Sequence, residues 1–265
     1  MALDGAATRP VSHPEDITGE RERLALVIPA YREAANLPIL LDRVRAALEE
    51  DCYEILVVDD DSGDGTVELV SAIAAVDSRV RLVVRKGERG LSGAILYGWQ
   101  LTGAGILGVL DADLQHPPEI LPALLEAIRE GNDLVIGSRY ARGGQVGEWS
   151  PVRRLFSSAA IWAARPLKRR HLRVLDPMSG FFLVRRNCVD DIPFQKSGFK
   201  LLLEILVRGR IRSVREIPFS FGLRHAGRSK ANIKVAVDYA ALLTRLYWER
   251  LGLELRLRNT AANES

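Results

Sequence analysis

Asp111-Ala112-Asp113-Leu114-Gln115-His116 follows the apolar run Ile106–Leu110. A buried strand that ends in carboxylates spaced i, i+2 sends both to the same side. Two anions held so close repel each other unless a cation sits between them. A hard divalent ion with oxygen ligands, Mg2+ or Mn2+, suits the pair, above all when it carries a substrate's phosphates. An isolated Asp-x-Asp is short enough to be an ordinary acidic turn, so its neighbours must decide.

Those neighbours are elements of an alternating pattern. Strands are expected at Leu24–Ile28, Glu54–Asp59, Val80–Val84, Ile106–Leu110 and Asp133–Ile136. Helices are expected between them, near Leu37–Glu50, Thr66–Val76, Gly93–Leu101 and Pro118–Glu130. Short uninterrupted apolar strands are those covered by helices on both faces. Repeated βα units imply a mostly parallel sheet with right-handed crossovers, whose ligands sit at the carboxyl ends of the strands. That rule gathers Pro29-Ala30-Tyr31, Asp59-Asp60-Asp61, Asp111-Ala112-Asp113 and Gly137-Ser138-Arg139 on one rim. Beyond Arg142 the pattern loosens into a loop at Gly143–Ser150 and a helix with a basic edge at Pro151–Arg165. Strands at Phe181–Val184 and Ser213–Pro218, a helix at Phe199–Arg208 and a helical tail at Ala231–Leu251 follow.

The 265 residues are 47% hydrophobic and 27% charged with a mean hydropathy of zero, the profile of an ordinary globular chain. Residues 1–22 are polar and read as a disordered tail without the apolar core of a signal peptide. No run reaches the length of a membrane span. Cys52 and Cys188 lack metal-ligand spacing and read as structural thiols. The net charge of +3 conceals two unlike halves. Residues 1–138 hold 12 Lys and Arg against 24 Asp and Glu, while residues 139–258 hold 25 against 9. An acidic half able to hold a cation thus joins a basic half able to hold anions, whether phosphorylated ligands, an anionic membrane or nucleic acid.

Several other motifs fail on context. Gly103-Ala-Gly105-Ile-Leu-Gly108 spells a dinucleotide fingerprint, but it precedes its strand instead of linking strand to helix. Gly222–Ser229 is close to a phosphate-binding loop with Arg228 where Lys belongs. Asp60–Gly65 begins like a calcium loop but has Ser71 where the bidentate Glu is required. Of the four histidines only His116 lies near the acidic pair, where supporting a ligand is a better reading than ligation. Nucleic-acid binding by the basic half is disfavoured by its sparse aromatics and by the acidic rim.

Val27-Ile-Pro-Ala-Tyr-Arg-Glu33, Val57–Thr66, Asp111–Glu119 and Gly137-Ser-Arg-Tyr140 resemble family 2 glycosyltransferases of the GT-A fold. The segments Asp176–Phe181, Gly198–Lys200, Leu203-Glu204 and Arg224–Lys230 extend the resemblance to the polyprenyl-phosphate (dolichyl-phosphate) mannosyltransferase branch. It implies an α/β fold, a three-layer α/β/α sandwich with a mostly parallel central sheet and a C-terminal helical extension. The implied divisions are a GT-A domain at 23–230, an amphipathic helix at 231–257 and a disordered tail at 258–265. The resemblance places Pro29, Tyr31, Glu33, Val58, Asp60 and Ala112 around the nucleotide, and Asp111, Asp113 and Gln115 on Mg2+ or Mn2+. Arg139 and Arg153 would hold an acceptor phosphate with Ser157 nearby, while Arg224 and Lys230 would meet the nucleotide's phosphates. Asp113, Arg139, Arg153, Arg224 and Lys230 would carry catalysis.

The implied reaction moves mannose from GDP-mannose to a polyprenyl monophosphate, with a UDP-sugar as the alternative donor. A phosphate with a second pKa of roughly 6 is largely dianionic at neutral pH. It needs cationic positioning instead of a base to remove a proton. Attachment to the cytoplasmic face of an anionic membrane, directly or through a membrane-protein partner, is expected from Trp162, Leu167, Lys168, Arg169, Arg170 and the Tyr239–Leu253 helix.

Overall fold

The computed structural model describes residues 23–49, 51–145, 160, 162–167, 172–195, 200–222 and 233–263. Its sheet has seven strands: β1 (Leu24–Ala30), β2 (Tyr53–Asp59), β3 (Val80–Val84), β4 (Ile106–Val109), β5 (Leu134–Ser138), β6 (Phe182–Arg185) and β7 (Val214–Pro218). They lie in the order β3-β2-β1-β4-β6-β5-β7. Every neighbouring pair is parallel except the two that β6 makes with β4 and β5. The mostly parallel sheet is therefore as expected, and the reversed strand lies in its middle.

Alternation along β1 shows how the sheet is covered. Leu24, Leu26 and Ile28 belong to one buried cluster, whereas Ala25 and Val27 belong to another on the opposite face. The first face is covered by α1 (Leu37–Ala47), α2 (Thr66–Val76) and α4 (Leu121–Arg129). In α1, Leu37, Leu40, Leu41 and Val44 recur at i, i+3, i+4 and i+7 and are all buried. The second face is covered by α3 (Leu91–Gln100) and α5 (Leu201–Arg208). At Gly98 of α3 a Cβ would stand 2.8 Å from Val27 Cγ2, so glycine lets this helix lie close on β1. Gly108, from the false dinucleotide fingerprint, is a packing residue inside β4, where a Cβ would stand 2.8 Å from Leu183 Cδ2.

Element boundaries differ from the sequence expectations where capping and pairing decide them. β5 starts one residue later and runs on to Ser138 because β7 continues the pairing as far as Pro218. The expected Pro118–Glu130 helix opens instead with a 3-10 turn at Pro118–Ile120. The loop expected from Gly143 begins with a bridge, since Gln145 N–H donates to Phe219 O and Phe221 N–H to Gln145 O.

The C-terminal helix α6 runs from Ile233 to Asn263 and so takes in residues 258–263 of the expected disordered tail. Its Tyr239, Leu242, Leu243, Leu246 and Tyr247 face a cluster with Ala164, Leu167, Met178 and Leu203. Within α5, Leu203 turns outward to α6 while Leu201, Leu202, Ile205 and Leu206 turn toward the sheet. The apolar stripe expected to meet a membrane, Leu167 included, is thus buried against the domain. No described helix is long and apolar enough to cross a membrane.

Candidate active site

Strand order reverses beside β1: the chain steps outward through β2 and β3, then returns to place β4 on the other side of β1. Such a reversal opens a crevice at the carboxyl ends of the two central strands. Pro29 and Ala30 close β1, Asp59 closes β2 and Ser138 closes β5, so these residues end their strands instead of following them. Tyr31, Asp60, Asp111 and Arg139 lie just beyond.

The acidic turn after β2 is tied up by its own chain. Asp59 accepts hydrogen bonds from the Ser62 backbone N–H at 2.9 Å and from the Ser62 hydroxyl. Asp60 Oδ1 meets Arg85 Nε at 2.8 Å and Nη2 at 2.7 Å, while Oδ2 accepts the Gly90 N–H at 2.8 Å. Asp64 accepts from the Thr66 N–H and hydroxyl at the start of α2 and from the Ala34 N–H. Asp61 is exposed at a positive φ of 55°. Nearby, Tyr31 lies under the Arg89 guanidinium at 4.7 Å, and Glu33 accepts Asn36 Nδ2 at 2.6 Å. Val58 is fully buried, packed with Gly98 of α3.

The turn after β4 is built differently. Leu114 adopts φ 61°, reversing the chain so that the Gln115 N–H donates to Asp113 Oδ1 at 3.1 Å. Gln115 Nε2 donates to Gly222 O and the Gly222 N–H returns to Gln115 O, fixing the amide. The Asp111 side chain is 29% exposed against 8% for Asp60. A Cβ on Gly180 would collide with Asp111 Oδ2 and stand 2.8 Å from its Cγ, so the carboxylate occupies space that only glycine leaves. Ala112 is buried in the core. By donor chemistry, two carboxylates and an amide oxygen on one turn suit Mg2+ or Mn2+, although among the described residues no group of three or more His, Cys, Asp or Glu side chains is gathered for a metal.

His116 packs beneath this turn, 3% exposed, among Phe181, Phe219 and Phe221 at 5.8, 5.4 and 5.3 Å between ring centres. Burial pushes its pKa down to about 4, so the imidazole is neutral at physiological pH. Its Nδ1 lies 3.8 Å from Asp111 Oδ2.

Arg139 stands on the next strand end. Its Nε and Nη2 both reach Asp176 at 2.7 Å, and its backbone N–H donates to the same carboxylate at 3.1 Å. Asp176 is fully buried, and its loop is held in turn by Glu216, which accepts the Leu175 and Asp176 N–H groups at 2.9 Å. Burial works against the Arg139 charge, but hydrogen bonds to Asp176 and the fields of Asp176 and Asp111 outweigh it and raise its pKa. Phe221 lies 5.3 Å under the guanidinium, linking this pair to the His116 box. Arg153, Ser157, Arg224 and Lys230 lie outside the described residues. The sequence reading missed Asp176 and Gly180 as site-builders, although both fall in the quoted segment Asp176–Phe181, and it missed Arg85 altogether.

Residues 25–192 match the profile of the family described as glycosyl transferase family 2. The chain is 41% identical over 228 residues to the dolichol-phosphate mannosyltransferase of Pyrococcus furiosus, covering 86% of this chain and 64% of that protein. It is 39% identical over 246 residues to the dolichol-phosphate mannosyltransferase of Mycosarcoma maydis, covering 89% and 82%. A glucosyl-3-phosphoglycerate synthase from Mycobacterium tuberculosis, solved with Mg2+ and UDP, shares the fold. It has a TM-score of 0.63 at 22% identity, covering 92% of this chain and 85% of that one. This chain is therefore a glycosyltransferase that belongs to family 2, in the branch of the polyprenyl-phosphate mannosyltransferases.

Proposed function

We propose that the enzyme transfers mannose from GDP-mannose to a polyprenyl monophosphate, inverting the configuration at the anomeric carbon. The observation that carries this reading is the meeting, on one rim, of the Asp111–Asp113 turn with the buried Arg139–Asp176 pair. The names of the relatives at 41% and 39% identity support the donor sugar and the lipid-phosphate acceptor.

Asp111, Asp113 and Gln115 would hold Mg2+ or Mn2+, with Gln115 steadied by Gly222 and Asp111 seated against Gly180. When bound, the ion supplies positive charge that offsets the charge developing on the departing nucleoside diphosphate. Tyr31 under Arg89, with Pro29 and the Asp60 turn, forms the nucleoside side of the crevice. Glu33 would add to that side, while Val58 and Ala112 would support it from opposite faces of the sheet. The phosphate oxygen of the acceptor attacks the sugar, and the bond to the diphosphate breaks. Since that oxygen arrives deprotonated, no residue has to act as a base. Arg139 positions the acceptor phosphate, its plane fixed by Asp176 and Phe221. Arg153, Ser157, Arg224 and Lys230, outside the described residues, are the further groups that the family resemblance would assign to phosphate.

The enzyme docks on the cytoplasmic face of an anionic membrane. Val237, Trp248 and Leu251 share the outer face of α6 and are 60%, 68% and 50% exposed. Trp162, 71% exposed, lies on the segment that Tyr239 and Tyr247 bind from α6 through hydrogen bonds to Ala160 O and Ala163 O. These groups suit interfacial insertion.

Incubation with polyprenyl phosphate and labelled GDP-mannose or UDP-glucose, with and without EDTA, tests the reaction. Label is expected in the lipid phase from GDP-mannose alone, and EDTA abolishes it. Transfer only from UDP-glucose would overturn the donor, and transfer from neither would overturn the acceptor. Sedimentation with anionic vesicles tests docking: no binding at low salt would refute it.

A further inference from the structure

We propose that His116 is a positioning residue for Asp111, donating Nδ1–H to Asp111 Oδ2 when a divalent ion is held by the Asp111–Asp113 turn. The inference rests on the metal reading given above.

Three observations converge on it. His116 Nδ1 is buried and has no hydrogen-bond partner among the described residues, an arrangement that native proteins seldom tolerate without a use for it. Asp111 Oδ2 lies 3.8 Å away, about 1 Å beyond hydrogen-bond length, so a small movement of the carboxylate closes the gap. The same oxygen occupies space that only glycine at 180 leaves open.

The ring itself cannot turn to seek another partner. Phe181, Phe219 and Phe221 surround it, with the Phe181 and Phe221 contacts edge-on at 70° and 87°. Its backbone is equally restrained, since the left-handed Leu114 precedes it and Pro117-Pro118 follow. A carboxylate on a metal is less free to rotate when its second oxygen accepts a hydrogen bond. Supporting donors of this kind typically change metal affinity by about 10–100-fold.

The amide of Asn places Nδ2 the same number of bonds from Cβ as His Nδ1, whereas Gln reaches the position of Nε2. Mn2+ binding to the full chain, read from the loss of the free-ion EPR signal, should therefore weaken about tenfold or more in His116→Ala and His116→Gln. His116→Asn should recover most of that loss. GDP binding without metal and the unfolding temperature of each variant separate this effect from loss of the fold. Wild-type protein with 15N-labelled histidine provides a measurement that needs no substitution at 116. With Mg2+ added, Nδ1 should be the protonated nitrogen, assigned after replacing His13, His171 and His225 in turn. Equal behaviour of the Asn and Gln variants, unchanged Mn2+ affinity in His116→Ala, or a proton on Nε2 would overturn the proposal. Mn2+ binding that survives in Asp111→Asn would instead overturn the metal reading on which it rests.

Discussion

Two acidic turns on the same rim follow β2 and β4, and their carboxylates have opposite fates. After β2, Asp59 is held by Ser62, Asp60 by Arg85 and Gly90, and Asp64 by Thr66 and Ala34. Each of these side chains shapes the backbone of the crevice. After β4, the partly exposed Asp111 meets a glycine and a neutral histidine, while Asp113 steadies the N–H of Gln115. The difference lies in what residues distant in sequence bring to each turn. Arg85 arrives from the end of β3 and converts Asp60 into half of a buried ion pair. Gly180 and His116 instead give the β4 turn space and a nearby imidazole, and Asp111 stays more exposed than Asp60.

The contrast is broken most forcefully by removing one carboxylate from each turn. Asp111→Asn should reduce turnover on the order of 10³-fold, because the leaving diphosphate loses its counter-charge. Its unfolding temperature should stay close to that of the parent. Asp60→Ala should act mainly on stability, costing about 1–3 kcal/mol because Arg85 keeps only Glu88 and the Gly90 carbonyl, with a smaller loss of turnover through the nucleoside side of the crevice. Turnover lost in Asp60→Ala at full stability would move Asp60 from scaffold to ligand. Denaturant melts and steady-state rates on the same preparations check both outcomes.

Smaller effects sharpen the comparison. Gly180→Ala should push the Asp111 carboxylate aside and raise the Mg2+ concentration for half-maximal rate roughly tenfold, with little change in melting. The neutral His116 also gives a pH signature. Its pKa is about 4 when folded and 6.5 ordinarily, so between these values the unfolded chain takes up a proton that the folded chain refuses. Stability should therefore fall as pH drops from 6.5 towards 4 and be flat in this respect above 6.5. His116→Asn should remove that slope, as chemical denaturation at stepped pH would reveal. The smallest effect is at α6: Tyr239→Phe deletes the hydrogen bond to Ala160 O and should cost about 1 kcal/mol.

Much of this architecture is legible in the sequence because burial leaves a local record. Uninterrupted apolar runs mark β1 to β5 to within two residues, and the strand-end rule places the acidic turns on one rim. What escapes is pairing between distant residues. Phe182–Arg185 looks like any short strand, and nothing within four residues says that it runs backwards between β4 and β5. The periodicity of α6 identifies an apolar stripe without saying whether it meets lipid or the Leu203 side of α5; it meets α5. The ion pairs Asp60–Arg85 and Arg139–Asp176 span 25 and 37 residues, beyond any local pattern. For this reason Asp60 and Arg139 look like unengaged charges in the sequence, while in the fold each already has a buried partner.

The division of labour between the two turns is tested most directly by Mn2+ titration of the wild type, Asp111→Asn and Asp60→Asn, followed by EPR. Wild type and folded Asp60→Asn are expected to bind one Mn2+ per chain, and Asp111→Asn is expected to bind none in the same range. Retention of Mn2+ by Asp111→Asn, or its loss from folded Asp60→Asn, would contradict the account.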